Sequence, residues 1–195
     1  MKDSGVEWIG RIPKHWEVRK LKHLFDSITG GTTPSSGNSL YYDGKIPWVI
    51  TEDLNDAIVN STKNSITENA LQEFKQLKIY PKGTLLIALY GSIGKTGLLD
   101  LPATSNQAIC ALYDSKGVNV NYVRHCLLAN KNYLISSGEG GVQSNISLTK
   151  VKNIRISIPV EAEQNQIEIF LKKQTTQFDE LIAKSKAQVT LLEEK

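Results

Sequence analysis

The chain has 195 residues, of which 40% are hydrophobic, and a formal net charge of +3, which suits one core of ordinary size without a strong charge. No apolar run approaches the ~20 residues of a membrane span, and the first residues lack an apolar signal segment, so we expect a cytoplasmic protein without membrane contact. Cys110, Cys126 and three histidines without ligand spacing favour buried free thiols over a disulfide scaffold or a metal site.

The charge is unevenly divided along the chain. Residues 1–158 contain 18 Lys or Arg against 13 Asp or Glu, whereas residues 159–195 contain 5 against 7. A mildly basic first part suits a polyanion, and a slightly acidic second part suits a protein partner. A charge of this size is also common in domains that bind no nucleic acid.

The first half of the chain is predicted to be rich in strands with short helices. Residues 16–24 alternate like a strand or a short helix, residues 45–50 form a strand, and residues 67–77 form a helix capped by Thr67 or Ser65. The stretch Gly30-Gly31-Thr32-Thr33-Pro34-Ser35-Ser36-Gly37 cannot be the interior of a strand. We expect an exposed loop there, with amides and hydroxyls available to a ligand.

The strongest strand is predicted over residues 84–90, which are apolar enough for the centre of a sheet. It continues into Gly91-Ser92-Ile93-Gly94-Lys95-Thr96-Gly97, which partly matches a phosphate-binding loop. The full pattern needs a glycine at the position of Leu89 and a long helix from Lys95. Residues 97–99 fit the second arm of a hairpin better, and a nucleotide-using enzyme stays open as an alternative that ATP or GTP binding would test.

The second half combines a strand, a helix and another glycine-rich loop. Residues 103–112 begin polar and become a strand, residues 120–131 form a helix with its inward face at Tyr122, Val123, Cys126 and Leu127, and residues 136–147 form the loop. These loops lack the His, Cys or carboxylate cluster of a catalytic site. Their hydroxyls and amides are suited to reading base edges, although each loop also fits an account in which it only turns the chain.

An unbroken helix is predicted over residues 161–195, after a body that closes at Pro159. At ~1.5 Å per residue it would reach roughly 50 Å, so we expect it to project. One apolar stripe runs along it, interrupted by Gln174, Ser185 and Gln188, which is typical of a coiled-coil seam of moderate strength. The stripe consists of Ile167, Leu171, Phe178, Leu181, Ile182, Val189 and Leu192. A terminal helix folded back onto its own domain is the alternative.

Several motifs occur in a fixed order along the chain. They are Trp16…Leu21…Ile28-x-Gly30-x-Thr32-x-Pro34, Ile46-Pro47-Trp48-Val49, Gly83-Thr84-Leu85-Leu86, Gly91-Ser92-Ile93-Gly94, Ser105-Asn106-Gln107-Ala108, Gln143-x-Asn145-Ile146-Ser147 and Ile156-x-Ile158-Pro159-x-x-x-Glu163-Gln164-x-x-Ile167. Together with the opening Asp3-Ser4-Gly5-Val6-Glu7-Trp8-Ile9-Gly10-x-Ile12-Pro13-x-His15-Trp16, they resemble the DNA specificity subunit of type I restriction-modification systems.

The resemblance implies an α+β chain with two parts. Residues 1–158 would form a strand-rich target-recognition domain with a few helices, and residues 159–195 a long projecting spacer or dimerisation helix. Family members usually carry two such units in tandem and read a bipartite target, so this chain would be a natural half-subunit or a fragment of a longer protein. As a half-subunit it would pair its helix antiparallel with that of a second copy and bind a palindrome with a fixed spacer.

The resemblance also implies a non-catalytic chain that binds double-stranded DNA and docks other subunits. Methyl transfer would belong to a modification subunit that brings S-adenosylmethionine, and cleavage to a restriction and motor subunit, with no cofactor or metal in this chain. A protein-interaction adaptor or donor cassette without DNA preference is the alternative, which the presence of only four arginines slightly favours.

The candidate DNA-binding residues fall into two groups. Phosphate contacts are expected from Lys20, Lys22, Lys45, Lys95, Lys150 and Lys152. Base or groove contacts are expected from Thr32, Thr33, Ser92, Lys95, Asn106, Gln107, Gln143 and Asn145. The amides of residues 106, 107 and 145 fit equally well an alternative in which they are buried and tie the loops together.

Overall fold

The computed structural model describes residues 1–136 and 145–193, with the backbone alone for residues 191–193. Within these residues the strands are β1 (Lys2–Asp3), β2 (Arg11–Ile12), β3 (Glu17–Lys20), β4 (Phe25–Gly30), β5 (Tyr42–Val49), β6 (Ala57–Val59), β7 (Asn64–Ile66), β8 (Leu85–Ala88), β9 (Thr96–Leu99), β10 (Thr104–Ser105), β11 (Ile109–Ser115) and β12 (Arg155–Ile158). The helices are α1 (Glu68–Glu73), α2 (Val120–Ala129), α3 (Lys131–Ser136), α4 (Leu148–Asn153) and α5 (Glu161–Glu193). The predicted α+β class and the long final helix are confirmed.

A five-stranded sheet in the order β4-β11-β8-β9-β6 forms the centre of the body. Its side chains alternate between two cores: Leu85 and Ile87 face one hydrophobic cluster, whereas Leu86 and Ala88 face another. All four residues of β8 are fully buried, because successive side chains of a strand with both faces covered each enter a core. The predicted central strand is therefore confirmed.

A three-stranded sheet, β10-β5-β7, lies beside the central sheet. Helix α1 packs on it through Ala70, which is fully buried against Tyr41 and Trp48 in a third cluster. The predicted helix over residues 67–77 is too long, since α1 ends at Glu73. Phe74 leaves the helical conformation and packs edge-on against Tyr41, with ring centroids 5.2 Å apart, so a tertiary aromatic contact replaces the last turns.

The segment that partly matches a phosphate-binding loop is a hairpin. Strand β9 begins at Thr96 and pairs antiparallel with β8, with Thr96 opposite Ile87. A phosphate-binding loop needs a helix at this point, because helical N–H groups hold the phosphates. The structure therefore contradicts the nucleotide-binding alternative and confirms the predicted hairpin.

Helix α5 is fastened to the body at its first turns. Gln164 is 2% exposed; its Oε1 accepts a hydrogen bond from the Asn119 N–H at 2.9 Å, and its Nε2 donates to the Pro159 carbonyl at 3.0 Å. Asn119 Nδ2 also donates to Asn165 Oδ1 at 2.7 Å, and Trp16 Nε1 to Glu163 Oε2 at 3.2 Å. These bonds tie the helix to α2 and to the N-terminal segment.

Farther along, α5 leaves the body. Ile167 and Leu171 are partly buried, whereas every residue from Thr175 to Thr190 is exposed. The apolar positions of the stripe in this part are 62%, 58%, 52% and 53% exposed at Phe178, Leu181, Ile182 and Val189. The part of the helix that the structure describes, which ends at Glu193, thus projects as predicted and does not fold back onto its own domain.

We predict that Gln164→Leu destabilises the junction between body and helix. The substitution leaves the Asn119 N–H and the Pro159 carbonyl without their partner, which costs about 1–3 kcal/mol of the free energy of unfolding. Urea denaturation measures the change. Gln166→Leu, at an exposed position of the same turn, is the matched control, and equal effects of the two substitutions would contradict the prediction.

Candidate nucleic-acid interface

Several loops meet at one edge of the central sheet because of how its strands pair. Strand β11 runs antiparallel to both neighbours, with Cys110 opposite Gly30 and Ile109 opposite Ala88. The ends of β4 and β8 therefore lie beside the start of β11. Residue 145 joins them, because the Ile146 N–H donates to the Leu89 carbonyl at 2.8 Å.

We call this surface the loop edge. It consists of Thr32, Thr33, Ser92, Lys95, Asn106, Gln107 and Asn145. These are all the predicted base-contact residues except Gln143, which lies outside the described residues. The fold brings together residues from four separate segments of the chain, which sequence spacing alone could not show.

The loop after β4 is held against the segment before β11 by its backbone. The Gly31 N–H donates to the Ile109 carbonyl and the Thr32 N–H to the Ser105 carbonyl, both at 2.9 Å. A Cβ atom on Gly31 would lie 2.2 Å from the Asn106 carbonyl oxygen, so only glycine permits this approach. The loop position thus depends on a residue without a side chain.

Side chains add further support to this loop. Trp48 Nε1 donates to the Thr32 carbonyl at 3.3 Å, and the Tyr42 hydroxyl donates to the Pro34 carbonyl at 2.6 Å. The Thr33 hydroxyl donates to Gln107 Oε1. The two aromatic residues belong to β5 of the three-stranded sheet. This sheet therefore helps to position the loop that follows β4 of the central sheet.

The two neighbouring amides differ in their surroundings. Asn106 is partly buried, and its Oδ1 accepts a hydrogen bond from the Ala108 N–H at 3.2 Å, which supports the alternative that it ties the loop together. Gln107 is exposed and lies beside Tyr90. Burial raises the pKa of Tyr90, and a hydrogen bond with Gln107 opposes that rise.

Tyr90 is a candidate that the sequence analysis missed. Its side chain is 38% exposed at the point where β8 ends. Aromatic faces stack on nucleobases, which makes an exposed ring beside polar loops a useful contact. The available signal was the position of an aromatic residue directly after an otherwise buried strand.

Asp56 is a second residue that the sequence analysis missed. Its Oδ1 accepts a hydrogen bond from the Thr96 N–H at 2.8 Å, and its Oδ2 accepts one from Lys131 Nζ at 2.6 Å. Burial raises the pKa of this carboxyl group, but the bonds from Lys131 and Thr96 outweigh burial, so its pKa lies below the ordinary value. Asp56 is therefore ionised at neutral pH.

Two of the predicted phosphate-contacting lysines lie around one cavity of about 510 Å³. Lys20, Lys150 and Arg155 line it together with the rings of Trp8 and Tyr133, whose centroids are 6.4 Å apart. Glu7 is the one acidic residue among the described residues that line it, against three basic ones, and Ile146 also lines the cavity, so this mainly basic surface borders the loop edge. Among the predicted lysines, the structure brings Lys20 and Lys150 together at this cavity and places Lys95 at the loop edge.

The remaining lysines are dispersed. Lys22 is exposed in the 3₁₀ turn after β3, and Lys45 is exposed within β5. Lys152 is partly buried on α4, and its charge opposes the larger effect of burial, which raises the pKa of the Cys110 thiol to about 12. The structure does not bring Lys22, Lys45 and Lys152 together in one surface. Their contacts with DNA stay predictions.

The part of the chain that the structure describes offers no group of three or more His, Cys, Asp or Glu side chains able to hold a metal ion. Within the same residues, none of the helices has the length and apolar character needed to cross a membrane. Cys110 and Cys126 are free thiols, and burial raises the pKa of Cys126 to about 11. Both thiols are therefore protonated and unreactive at neutral pH.

The fold is a body with converging polar loops that carries one projecting helix, and comparison with known sequences assigns the chain to a family. Residues 13–191 match the family of the type I restriction modification DNA specificity domain. The chain belongs to this family, whose members are specificity chains and not catalytic ones.

Among its relatives is the MjaIX specificity subunit of a type I restriction enzyme from Methanocaldococcus jannaschii, which is 32% identical over 95% of this chain and 43% of the relative. The EcoR124I/EcoR124II specificity subunit from Escherichia coli is 27% identical over 88% of this chain and 41% of the relative. The chain thus spans about two fifths of the length of these curated relatives.

Solved structures show the same fold. One of them comes from a structure described as the basis of complex assembly and conformational transition of the type I R-M system. It superposes with a TM-score of 0.73 at 19% identity, and the match covers 88% of this chain and 41% of that one. The HsdS subunit from Thermoanaerobacter tengcongensis superposes with a TM-score of 0.67 at 18% identity, over 86% and 39%. At this identity the likeness establishes the fold alone.

We predict that Gly31→Ala disrupts the loop edge. The added methyl group would overlap the backbone of residue 106, and moving the loop away costs about 1–3 kcal/mol of the free energy of unfolding. Chemical denaturation and the amide NMR shifts of residues 31–33 and 106–108 measure the effect. Gly37→Ala is the control within the same loop, since nothing lies within 4 Å of its added Cβ, and an unperturbed Gly31→Ala protein would contradict the prediction.

Proposed function

We propose that this chain reads one half of a bipartite DNA sequence for a type I restriction-modification complex. The observation that carries the proposal is the loop edge, where hydroxyl and amide side chains from four segments converge. Such groups read base edges by hydrogen bonding. The family match supports the DNA substrate.

In this proposal the body, residues 1–158, recognises DNA in two ways. Gln107, Ser92 and Thr33 contact bases from the loop edge, where Tyr90 offers an apolar surface beside them. The lysines and Arg155 at the neighbouring cavity contact phosphates. Phosphate contacts supply affinity that depends on salt and little on sequence, so specificity comes from the loop edge.

The helix, residues 159–195, is the proposed spacer and docking element. Four apolar side chains, Phe178, Leu181, Ile182 and Val189, are more than half exposed along one face of α5. A helix with an exposed apolar stripe is stabilised when a partner helix covers it. The occupant that we propose is the same stripe of a second copy, in an antiparallel pair about a two-fold axis.

The two-unit layout that the resemblance implies supports this choice of partner. The chain covers 43% and 41% of two of its relatives, and the resemblance implies two recognition units in a complete subunit. A two-fold pair of half-length chains would place two loop edges at opposite ends of the helices. The target would then be an inverted repeat with a spacing fixed by α5.

The proposal assigns no chemistry to this chain. A methyltransferase subunit carrying S-adenosylmethionine would modify the DNA, and a restriction and motor subunit would cleave it. The chain would dock these subunits while its body holds the target. The alternative is an adaptor without base preference. Site selection from a random duplex library separates a specificity chain from such an adaptor.

We predict that Gln107→Ala weakens discrimination at one base position by about 1–3 kcal/mol, because an amide that pairs with a base edge contributes that much. Site selection from a random duplex library, with the chain bound to its methyltransferase subunit, measures it. Gln72→Ala, an exposed glutamine on α1, is the control. A wild-type complex without base preference would overturn the proposed function in favour of the adaptor.

We predict that Leu181→Lys converts a helix-paired dimer into a monomer. A charge placed in the apolar stripe cannot be covered without a desolvation cost. Sedimentation velocity at micromolar concentration measures the change. Ile169→Lys is the control, because Ile169 is 64% exposed but lies across the helix from the stripe; a monomeric wild-type chain that binds a single half-site as well as an inverted repeat would contradict the dimer.

A further inference from the structure

The hairpin loop between β8 and β9 carries two residues of the loop edge, Ser92 and Lys95. Its turn is closed by bonds from the Gly94 N–H to the Ala88 carbonyl at 3.1 Å and from the Lys95 N–H to the Ser92 carbonyl at 3.0 Å. Gly91 and Gly94 have φ angles of +72° and +74°, which glycine adopts at no steric cost. A turn with two glycines can adopt many backbone conformations, so contacts from outside the loop are needed to fix its position.

Asp56 supplies that support from outside the loop. Its N–H donates to the Thr96 carbonyl at 2.9 Å, while its carboxylate accepts from the Thr96 N–H at 2.8 Å. Thr96 is the first residue after the loop and is fully buried. The two bonds hold the arm of the hairpin that directly follows Lys95.

Asp56 is itself fixed from two sides. Its backbone has a φ of +58°, and its carbonyl accepts a hydrogen bond from Arg124 Nη1 at 2.6 Å. Its carboxylate pairs with Lys131 at 2.6 Å, with the two side chains 31% and 29% exposed respectively. This pair is more shielded from water than the surface pair Lys82–Asp100, whose side chains are 66% and 50% exposed.

Lys131 also lies next to the loop. Its Cγ would lie 3.4 Å from a Cβ built on Gly94, and the Leu134 Cβ would lie at 3.8 Å. Helix α3 therefore packs on the turn with the same residue that pairs with Asp56. The carboxylate, the lysine and the glycine turn form one connected unit next to the loop that carries Ser92 and Lys95.

We propose that Asp56, together with Lys131, is a positioning residue for DNA specificity: it orients the loop that carries Ser92 and Lys95 without being part of the loop edge. This inference rests on the proposed function, since it concerns how that same surface selects a sequence. It assigns a role in recognition to a carboxylate, a group that would repel DNA if it contacted the phosphates.

The test compares Asp56→Asn with Lys131→Met. Asparagine keeps the size of the side chain and tolerates a positive φ, and methionine keeps the stem that packs on Gly94, so both variants should fold. The first substitution raises the net charge by one and the second lowers it by one. Since general attraction to DNA would change in opposite directions, a shared effect on base preference cannot arise from net charge.

The readout is the ratio between binding to the selected sequence and binding to a scrambled duplex, with the chain bound to its methyltransferase subunit. We expect both variants to lower this ratio by about tenfold, as for one loosened base contact. Asp100→Asn is the control: it changes the charge as Asp56→Asn does and breaks a surface ion pair at the far end of β9, where such pairs contribute little. A ratio within about twofold of wild type for both variants would overturn the inference, because one good contact is worth more than that.

Amide hydrogen exchange on the chain without DNA measures the support of the loop separately. We expect the N–H groups of residues 94–96 to exchange faster in Asp56→Asn than in wild type or Asp100→Asn. Unchanged exchange would overturn the positioning role, whatever the DNA result. A wild-type chain without base preference but with the expected exchange difference would instead overturn the proposed function, and with it the role of Asp56 in specificity.

Discussion

The pairing of β11 between β4 and β8 is the constraint on which the rest of the structure depends. Its antiparallel register places the end of two strands and the start of a third at one edge of the sheet. Every loop that leaves that edge must reach the same region of the surface. The tight approach of Gly31 to residue 106 and the bond between Ile146 and Leu89 then close these loops into one surface.

The projection of α5 depends on a different kind of interaction. Buried amide hydrogen bonds from Gln164 fasten its first turns, and between residues 175 and 190 the apolar stripe receives no cover from the body. Hydrogen bonds are directional, so these bonds constrain the orientation of the first turns of the helix relative to the body. The same stripe is therefore partly buried at the base of the helix and exposed from residue 175 to residue 190.

Much of the local structure could be predicted from residue patterns. The apolar run of β8, the hairpin at Gly91–Gly97 and the uninterrupted helix propensity of α5 depend on nearby residues, and the structure confirms them. The helix after Thr67 was predicted too long, because the packing of Phe74 on Tyr41 joins residues far apart in sequence. The roles of Asp56 and Tyr90 could not be predicted from the sequence for the same reason. Their neighbours come from other elements, and neither residue belongs to a local sequence motif.

The sequence by itself determined the class of fold, the order of its motifs and the stripe on the final helix, since periodicity, glycine and proline act over a few residues. The tertiary structure decided which polar residues share a surface: it brought Thr33 to Gln107 and Lys131 to Asp56, and it left Lys22 and Lys45 apart. The physical reason is that contacts between distant segments depend on strand register and core packing, which no short stretch of the chain encodes.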